Sequence, residues 1–263
     1  MKLVRQLSLL TTCGALMLAA TFQAALAQTA APVLSEAAIV AQADSTALTP
    51  DQVLDRLKTV PVFAIVSENN SPVLANIEQN GEQVQLISFW LDQKAAQTAL
   101  SNVQQANPSV GGQARLVSLP MPEALRVARE QQENEIQVRI WPDVETLEVA
   151  LNLLRQTAGQ EDADRFPGVP LFYGESEAGV LTLEANGSEV VPFFFHKDDL
   201  EATLNRAGAE NADIAARTQV RVTSLNTVMN SMVSPNAEAN VQKIEFVPSR
   251  AAIEYAREIA PAQ

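Results

Sequence analysis

The sequence predicts an α/β protein of the α+β type: two tandem copies of a β-β-β-α-β-α-β-α unit, related by pseudo-twofold symmetry, with helices packed on a mixed sheet. Three observations predict it. First, a shift of 106 positions lays the second half over the first. Asn80-Gly81 falls on Asn186-Gly187, Phe89 on Phe195, Asp92 on Asp198, Ser118-Leu119 on Ser224-Leu225 and Pro142 on Pro248. Sixteen of the 72 positions from 80 to 151 are identical under that shift, against roughly 5 from composition. Second, each Asn-Gly stands between strand-like runs, a hairpin signature. Third, each hairpin is followed by runs that alternate between helical and strand periodicity.

In chain order, Thr49-Pro50-Asp51-Gln52 starts a helix, with Thr49 as N-cap, Pro50 in the first turn and Gln52 closing a capping box. Val62 to Val66 reads as a buried strand, and Val73–Glu78 and Val84–Trp90 flank the Asn80-Gly81 turn. Asp92 caps a helix to about Ala106, which Asn107-Pro108 ends. Ala114–Leu119 is a strand, a helix follows Pro122, and Ile136, Val138 and Ile140 alternate as a half-buried strand. Pro142-Asp143 opens a helix with Val144, Leu147, Leu151 and Leu154 on one stripe. The second copy replays this order. Leu171–Gly174, Val180–Glu184 and Val190–His196 are strands, Asp198 with Glu201 forms a capping box, and Val220–Ser224 is a strand. Thr227–Val233 is a short helix, Lys243–Val247 a strand, and Ser249 caps the last helix.

The domain boundaries follow: residues 1–27 a signal peptide, 28–48 a leader with a short helix near 35–43, 49–156 the first repeat, 157–168 an acidic linker, and 169–263 the second repeat. Lys2 and Arg5 precede an apolar run, and Ala25-Leu26-Ala27 is a small-x-small cleavage signal. Cleavage leaves 236 of 263 residues, removes Cys13, the only cysteine, and takes the formal charge from −13 to −15. The remaining chain has no integral membrane segment, forms no disulfide and holds itself together by packing. Such acidity opposes binding to nucleic acid or anionic membranes.

No catalytic or metal-binding constellation stands out, no cofactor is implied, and the chain reads as a non-enzyme. His196, the only histidine, ends a strand where the shift places Trp90 in the first copy, so the repeat needs no titrating group there. Asp162 and Asp164 lack the rest of a calcium loop, and no glycine-rich phosphate loop is present. Aromatic residues are the feature left over. Phe193, Phe194 and Phe195 put rings on both faces of one strand, which fits either a strand buried between two layers or a sheet face left partly open as an apolar groove. The groove candidates are Phe89, Trp90, Trp141, Phe193, Phe194, Phe195 and Phe246.

Four segments, taken in order, carry a resemblance: Val60-Pro61-Val62-Phe63, Phe166-Pro167-Gly168-Val169-Pro170-Leu171-Phe172, Val191-Pro192-Phe193-Phe194-Phe195 and Phe246-Val247-Pro248-Ser249-Arg250. Over residues 50–260 the chain resembles the small intermembrane-space subunit family of the chloroplast inner-envelope translocon (Tic), and more closely its cyanobacterial periplasmic relatives. The resemblance implies a pseudo-twofold body with apolar grooves. It also implies an ATP-independent chaperone or translocation factor that holds unfolded outer-membrane β-barrel precursors and assists outer-membrane biogenesis. It places the protein in the periplasm, with the thylakoid lumen as the other compartment. A second reading is an adaptor that docks on the barrel-assembly machinery without holding clients.

Overall fold

The computed structural model describes residues 46–157, 163–185 and 187–260. The signal peptide, nearly all of the leader, Asn186 and the acidic stretch 158–162 lie outside the described residues. The first sheet holds Pro61–Val66 (β1), Leu74–Gln79 (β2), Glu82–Trp90 (β3), Arg115–Pro120 (β4) and Gln137–Trp141 (β5). Its order is β4-β1-β3-β5, with β2 continuing the β1 side of β3. β1 is antiparallel to both neighbours and β5 is parallel to β3. The second sheet holds Pro170–Ser176 (β6), Gly179–Val180 (β7), Leu183–Ala185 (β8), Ser188–Phe194 (β9), Gln219–Ser224 (β10) and Ile244–Val247 (β11). Its order, β10-β6-β9-β11, has the same pairing senses. The fold is therefore mixed α/β, as predicted. At the first hairpin Asn80 and Gly81 take φ of 56° and 84°, the two left-handed residues that a type I′ turn requires.

Helices Pro50–Arg56 (α1), Gln93–Ala106 (α2), Met121–Gln131 (α4), Val144–Thr157 (α5), Lys197–Glu210 (α6), Leu225–Val233 (α8) and Arg250–Glu258 (α9) were legible in the sequence. Two short helices were not: Pro108–Gly111 (α3) and Ala212–Arg217 (α7). Asn107 and Asn211 each end one helix and cap the next, so the asparagine that reads as a stop is also a start. Each short helix folds back onto its predecessor through a glycine. A Cβ on Gly111 would meet the Gln104 backbone at 2.3 Å, and one on Gly208 would meet Ala215 at 2.6 Å.

The backbone pairing of the two sheets does not follow the gapless shift of 106. Leu91 N–H donates to Trp141 O and, at the same station of the second sheet, Phe195 N–H donates to Val247 O. β3 and β9 thus correspond at an offset of 104, while β5 and β11 correspond at 106. The helix starts agree: the N-cap of α2 is Asp92 and that of α6 is His196, again 104 apart. A gapless shift of 106 is therefore two residues out of step from β3 to α8. Even-numbered slips leave every strand residue on its face, so the hydrophobic pattern tolerates the error. The slip explains two further corrections. His196 stands where Asp92 stands, not where Trp90 does. Asp198 lies in the first turn of α6 and forms no capping box; His196 is the N-cap and makes no side-chain cap bond. Ser249 is the N-cap of α9, also without a side-chain bond.

The halves interlock through their last helices. One face of each sheet enters a common core: Val62 and Ala64 of β1, Phe89 of β3, Leu171 of β6, Phe193 of β9 and Phe246 of β11, with Met121 of α4 and Met232 of α8. The other face of the first sheet, at Phe63, is covered by Ala96 of its own α2 and by Ala252 and Tyr255 of α9, from the far half. The Phe63 and Tyr255 rings lie 5.2 Å apart. The other face of the second sheet, at Phe172 and Phe194, is covered by Leu200 and Leu204 of its own α6 and by Ala150 and Leu154 of α5, from the first half. Each half thus lends a helix to the other's sheet.

The chain before β1 is stapled to the second half. Leu48 N–H donates to Met232 O (2.7 Å), and the Arg56 guanidinium donates to Ile244 O and Gln242 O (both 2.7 Å). The predicted capping box forms: Gln52 N–H donates to Thr49 Oγ1 (3.2 Å) and Thr49 N–H to Gln52 Oε1 (2.8 Å). Replacing Thr49 with alanine removes one arm of that box and is expected to lower stability by about 1 kcal/mol, read as a denaturant midpoint shift at unchanged slope. A shift of zero would mean that the packing of Val53 and Leu57 alone sets the helix.

Candidate functional site

Burial divides the seven aromatic candidates. Phe89, Phe193, Phe194, Phe195 and Phe246 are all buried, at 1 to 8% exposure. Phe193 and Phe195 point into the common core and Phe194 into the layer under α5 and α6. The three-phenylalanine run is thus a strand between two layers, the first of the two readings open from sequence. Trp90 and Trp141 remain half-exposed. They sit side by side on β3 and β5. Trp141 donates its indole N–H to Ser88 Oγ (3.0 Å), and the Arg139 guanidinium lies 5.5 Å from the centre of its ring.

Of the five buried rings, Phe193 lines an apolar cleft and Phe195 a polar one. The apolar cleft, about 340 Å³, is lined by Phe193, Val191 and Val180 on the strand side and by Val241 and Ile244 beyond them, with Ser231 and Ser234 at its rim. Tyr173 stacks obliquely against Phe193, centroids 5.3 Å apart. Burial, and secondarily Glu175, pushes the Tyr173 phenol above its ordinary value. Glu189 of β9 pairs with Lys243, just before β11. That hydrogen bond, with a second from Thr182, holds the Glu189 carboxyl below its ordinary value. The corresponding row on the first sheet runs Leu74, Ile87, Val138 and ends in Leu74, which is 44% exposed. The rim serines were invisible from sequence, because nothing local distinguishes a serine beside a cleft from any other surface serine.

The Phe195 cleft, about 550 Å³, lies where both halves contribute: Leu91, Asp92 and Asp143 from the first, Phe195, His196 and Ser249 from the second. Four helix starts border it, and three of them donate an N–H to a carboxylate of this chain: Asp92 accepts from Ala95 N–H, Asp143 from Thr146 N–H and Asp199 from Arg250 N–H. Among the described residues no carboxylate is buried; the buried polar residues are Thr146 and Ser224. No helix of the described residues is long and apolar enough to cross a membrane.

The model of the Tic22-like family matches residues 5–258. The chain belongs to the Tic22-like family. Among Tic22 relatives, it is 29% identical over 164 residues to the chloroplastic TIC 22-like protein of Arabidopsis thaliana, covering 62% of this chain and 49% of that protein. It is 23% identical over 201 residues to the chloroplastic TIC 22 of Pisum sativum, covering 76% and 74%. The chain thus spans about half the length of the Arabidopsis relative. Two solved Tic22 structures share the fold. The Anabaena protein, described as a protein-transport protein, has a TM-score of 0.65 at 17% identity, covering 82% of this chain and all of that one. Tic22 from Plasmodium falciparum has a TM-score of 0.61 at 20% identity, covering 79% and 96%.

Proposed function

We propose that this chain is an ATP-independent protein-transport chaperone that holds unfolded outer-membrane precursors in the periplasm. Membership of the Tic22-like family supports a transport role, and the Anabaena relative is described in those terms. The observation that carries the holding step is the cleft at Phe193. Its size, about 340 Å³, suits one large side chain of a client rather than a folded surface. Its apolar floor and polar rim bind without sequence specificity. The Leu74, Ile87, Val138 row offers a second apolar station on the other sheet. We further propose that the halves are two copies of one ancestral unit, related by an approximate twofold axis, so that the two stations are versions of one site. A barrel precursor alternates apolar and polar residues and can occupy both. Net charge of −13 keeps such a surface soluble between encounters. Weak, reversible contacts release the client without nucleotide.

The test is light scattering of an unfolded porin diluted out of urea. Stoichiometric protein is expected to slow aggregation at least threefold. A Ser231→Phe variant, which fills the cleft mouth from the exposed side of α8, is expected to lose most of that effect while keeping its melting temperature. If the unaltered protein leaves the scattering trace unchanged, the chaperone reading falls.

A further inference from the structure

We propose that the outer edge of β5 is a docking site for an extended polypeptide, which adds as a further strand beside Val138 and Ile140. The inference rests on the chaperone reading above and specifies how a client is gripped. It starts from a difference between the two sheets. β5 and β11 occupy the same place, each parallel to the long strand at one side of its sheet. In β11, Val247 O turns inward to Phe195 N–H. Backbone groups alternate along a strand, so Ile244 O faces outward, and there Arg56 of α1 meets it, with a second bond to Gln242 O. The chain thus blocks that edge with one of its own arginines. In β5, Trp141 O turns inward to Leu91 N–H, so the backbone groups of Val138 and Ile140 face outward. Val138 is the counterpart of Ile244. Among the described residues no strand, helix end or arginine meets these groups.

An open edge with N–H and C=O groups repeating about every 6.6 Å is matched by one kind of occupant, another extended chain. The side chains define its chemistry further. Val138 and Ile140 turn toward the common core, so a strand laid beside them gains by placing apolar residues on that side. Arg139 and Trp141 turn to the opposite face. Arg139 is held by Gln79 and Gln137 (3.5 and 3.1 Å) and by the Trp141 ring. Among the described residues no carboxylate pairs with it, in a chain with 31 acids. The preferred occupant therefore alternates, apolar on one side, with an acidic residue opposite Arg139.

The probe is a fluorescein-labelled decapeptide of alternating valine and threonine with one central glutamate on the threonine side. Its anisotropy is followed on titration with the full chain. Methylating two adjacent central backbone nitrogens blocks both edges of the peptide and is expected to weaken binding at least tenfold. Val138→Pro removes an outward N–H that serves no internal bond and is expected to do the same, with circular dichroism confirming the fold. Amide exchange at Val138 and Ile140 is expected to slow at least fivefold on saturation. Should the methylated peptide bind within twofold of the parent, or protection appear around Phe193 instead, the edge proposal is overturned while the chaperone reading stands. Absence of binding together with an unchanged porin scattering trace overturns both. Absence of binding with porin aggregation still suppressed overturns the edge proposal alone.

Discussion

Residues 46–157 expressed alone are expected to show no cooperative unfolding transition, although they contain the complete first sheet and helices α1 to α5. In the intact chain Phe63 is fully buried under Ala252 and Tyr255, which this fragment lacks. Ala150 and Leu154 of α5 are buried against Phe172 and Phe194, which it also lacks. The inner face of the sheet, at Val62, Ala64 and Phe89, loses Leu171, Phe193 and Phe246 across the common core. Re-exposing each large apolar side chain costs about 1.5–3 kcal/mol, and roughly half a dozen are uncovered at once. That sum, about 9–18 kcal/mol, is as large as the roughly 5–15 kcal/mol by which whole domains are stable. Calorimetry and near-ultraviolet circular dichroism of the fragment provide the check. Adding residues 163–263 is expected to restore a cooperative transition in the mixture. A fragment that melts sharply by itself would show that α9 and the second sheet are dispensable to the first.

The largest effect expected from a single substitution is at the same junction. Phe63→Ala empties a site with no solvent exposure, in contact with a helix from the other half. Truncating a fully buried phenylalanine costs about 3–5 kcal/mol. For a chain of this length each kcal/mol lowers the melting temperature by about 2–4 °C, so a fall of about 10 °C is expected. Tyr255→Phe preserves the ring contact at 5.2 Å and should be mild. Tyr255→Ala should be severe, and its cost should not add to that of Phe63→Ala, because the rings are worth about 0.5–1.5 kcal/mol to each other. Full additivity in the double mutant would mean that the two halves are not coupled through this pair.

Much of the fold was legible because it is written in local chemistry. Thr49 with Gln52, Asp92, Asn80-Gly81 and the alternation at Ile136, Val138 and Ile140 each specify a backbone conformation within a few residues. Misread local signals share one origin. Asp198 reads as a cap because a gapless shift sets it on Asp92, whereas β9, with 7 residues against the 9 of β3, puts His196 there. The slip was even-numbered, so no hydrophobic residue changed face and the sequence pattern held no warning of it. The aromatic candidates divided for a non-local reason. Phe193, Phe194 and Phe195 are equally apolar in sequence, and only the layers above and below β9 decide that all three are covered while Trp141, on an edge strand, is not.

From its residues alone this chain determined its class, most of its strand and helix order, its acidity and the family it resembles, since each depends on short-range periodicity, turn chemistry or composition. The exchange of α5 and α9 between sheets, the cleft beside Phe193, and the sealing of one edge by Arg56 while its counterpart stays open were decided only in three dimensions. Each joins residues from separate elements, beyond the reach of any local pattern, or turns on which side of a strand a neighbour arrives, and no periodicity of side chains encodes either.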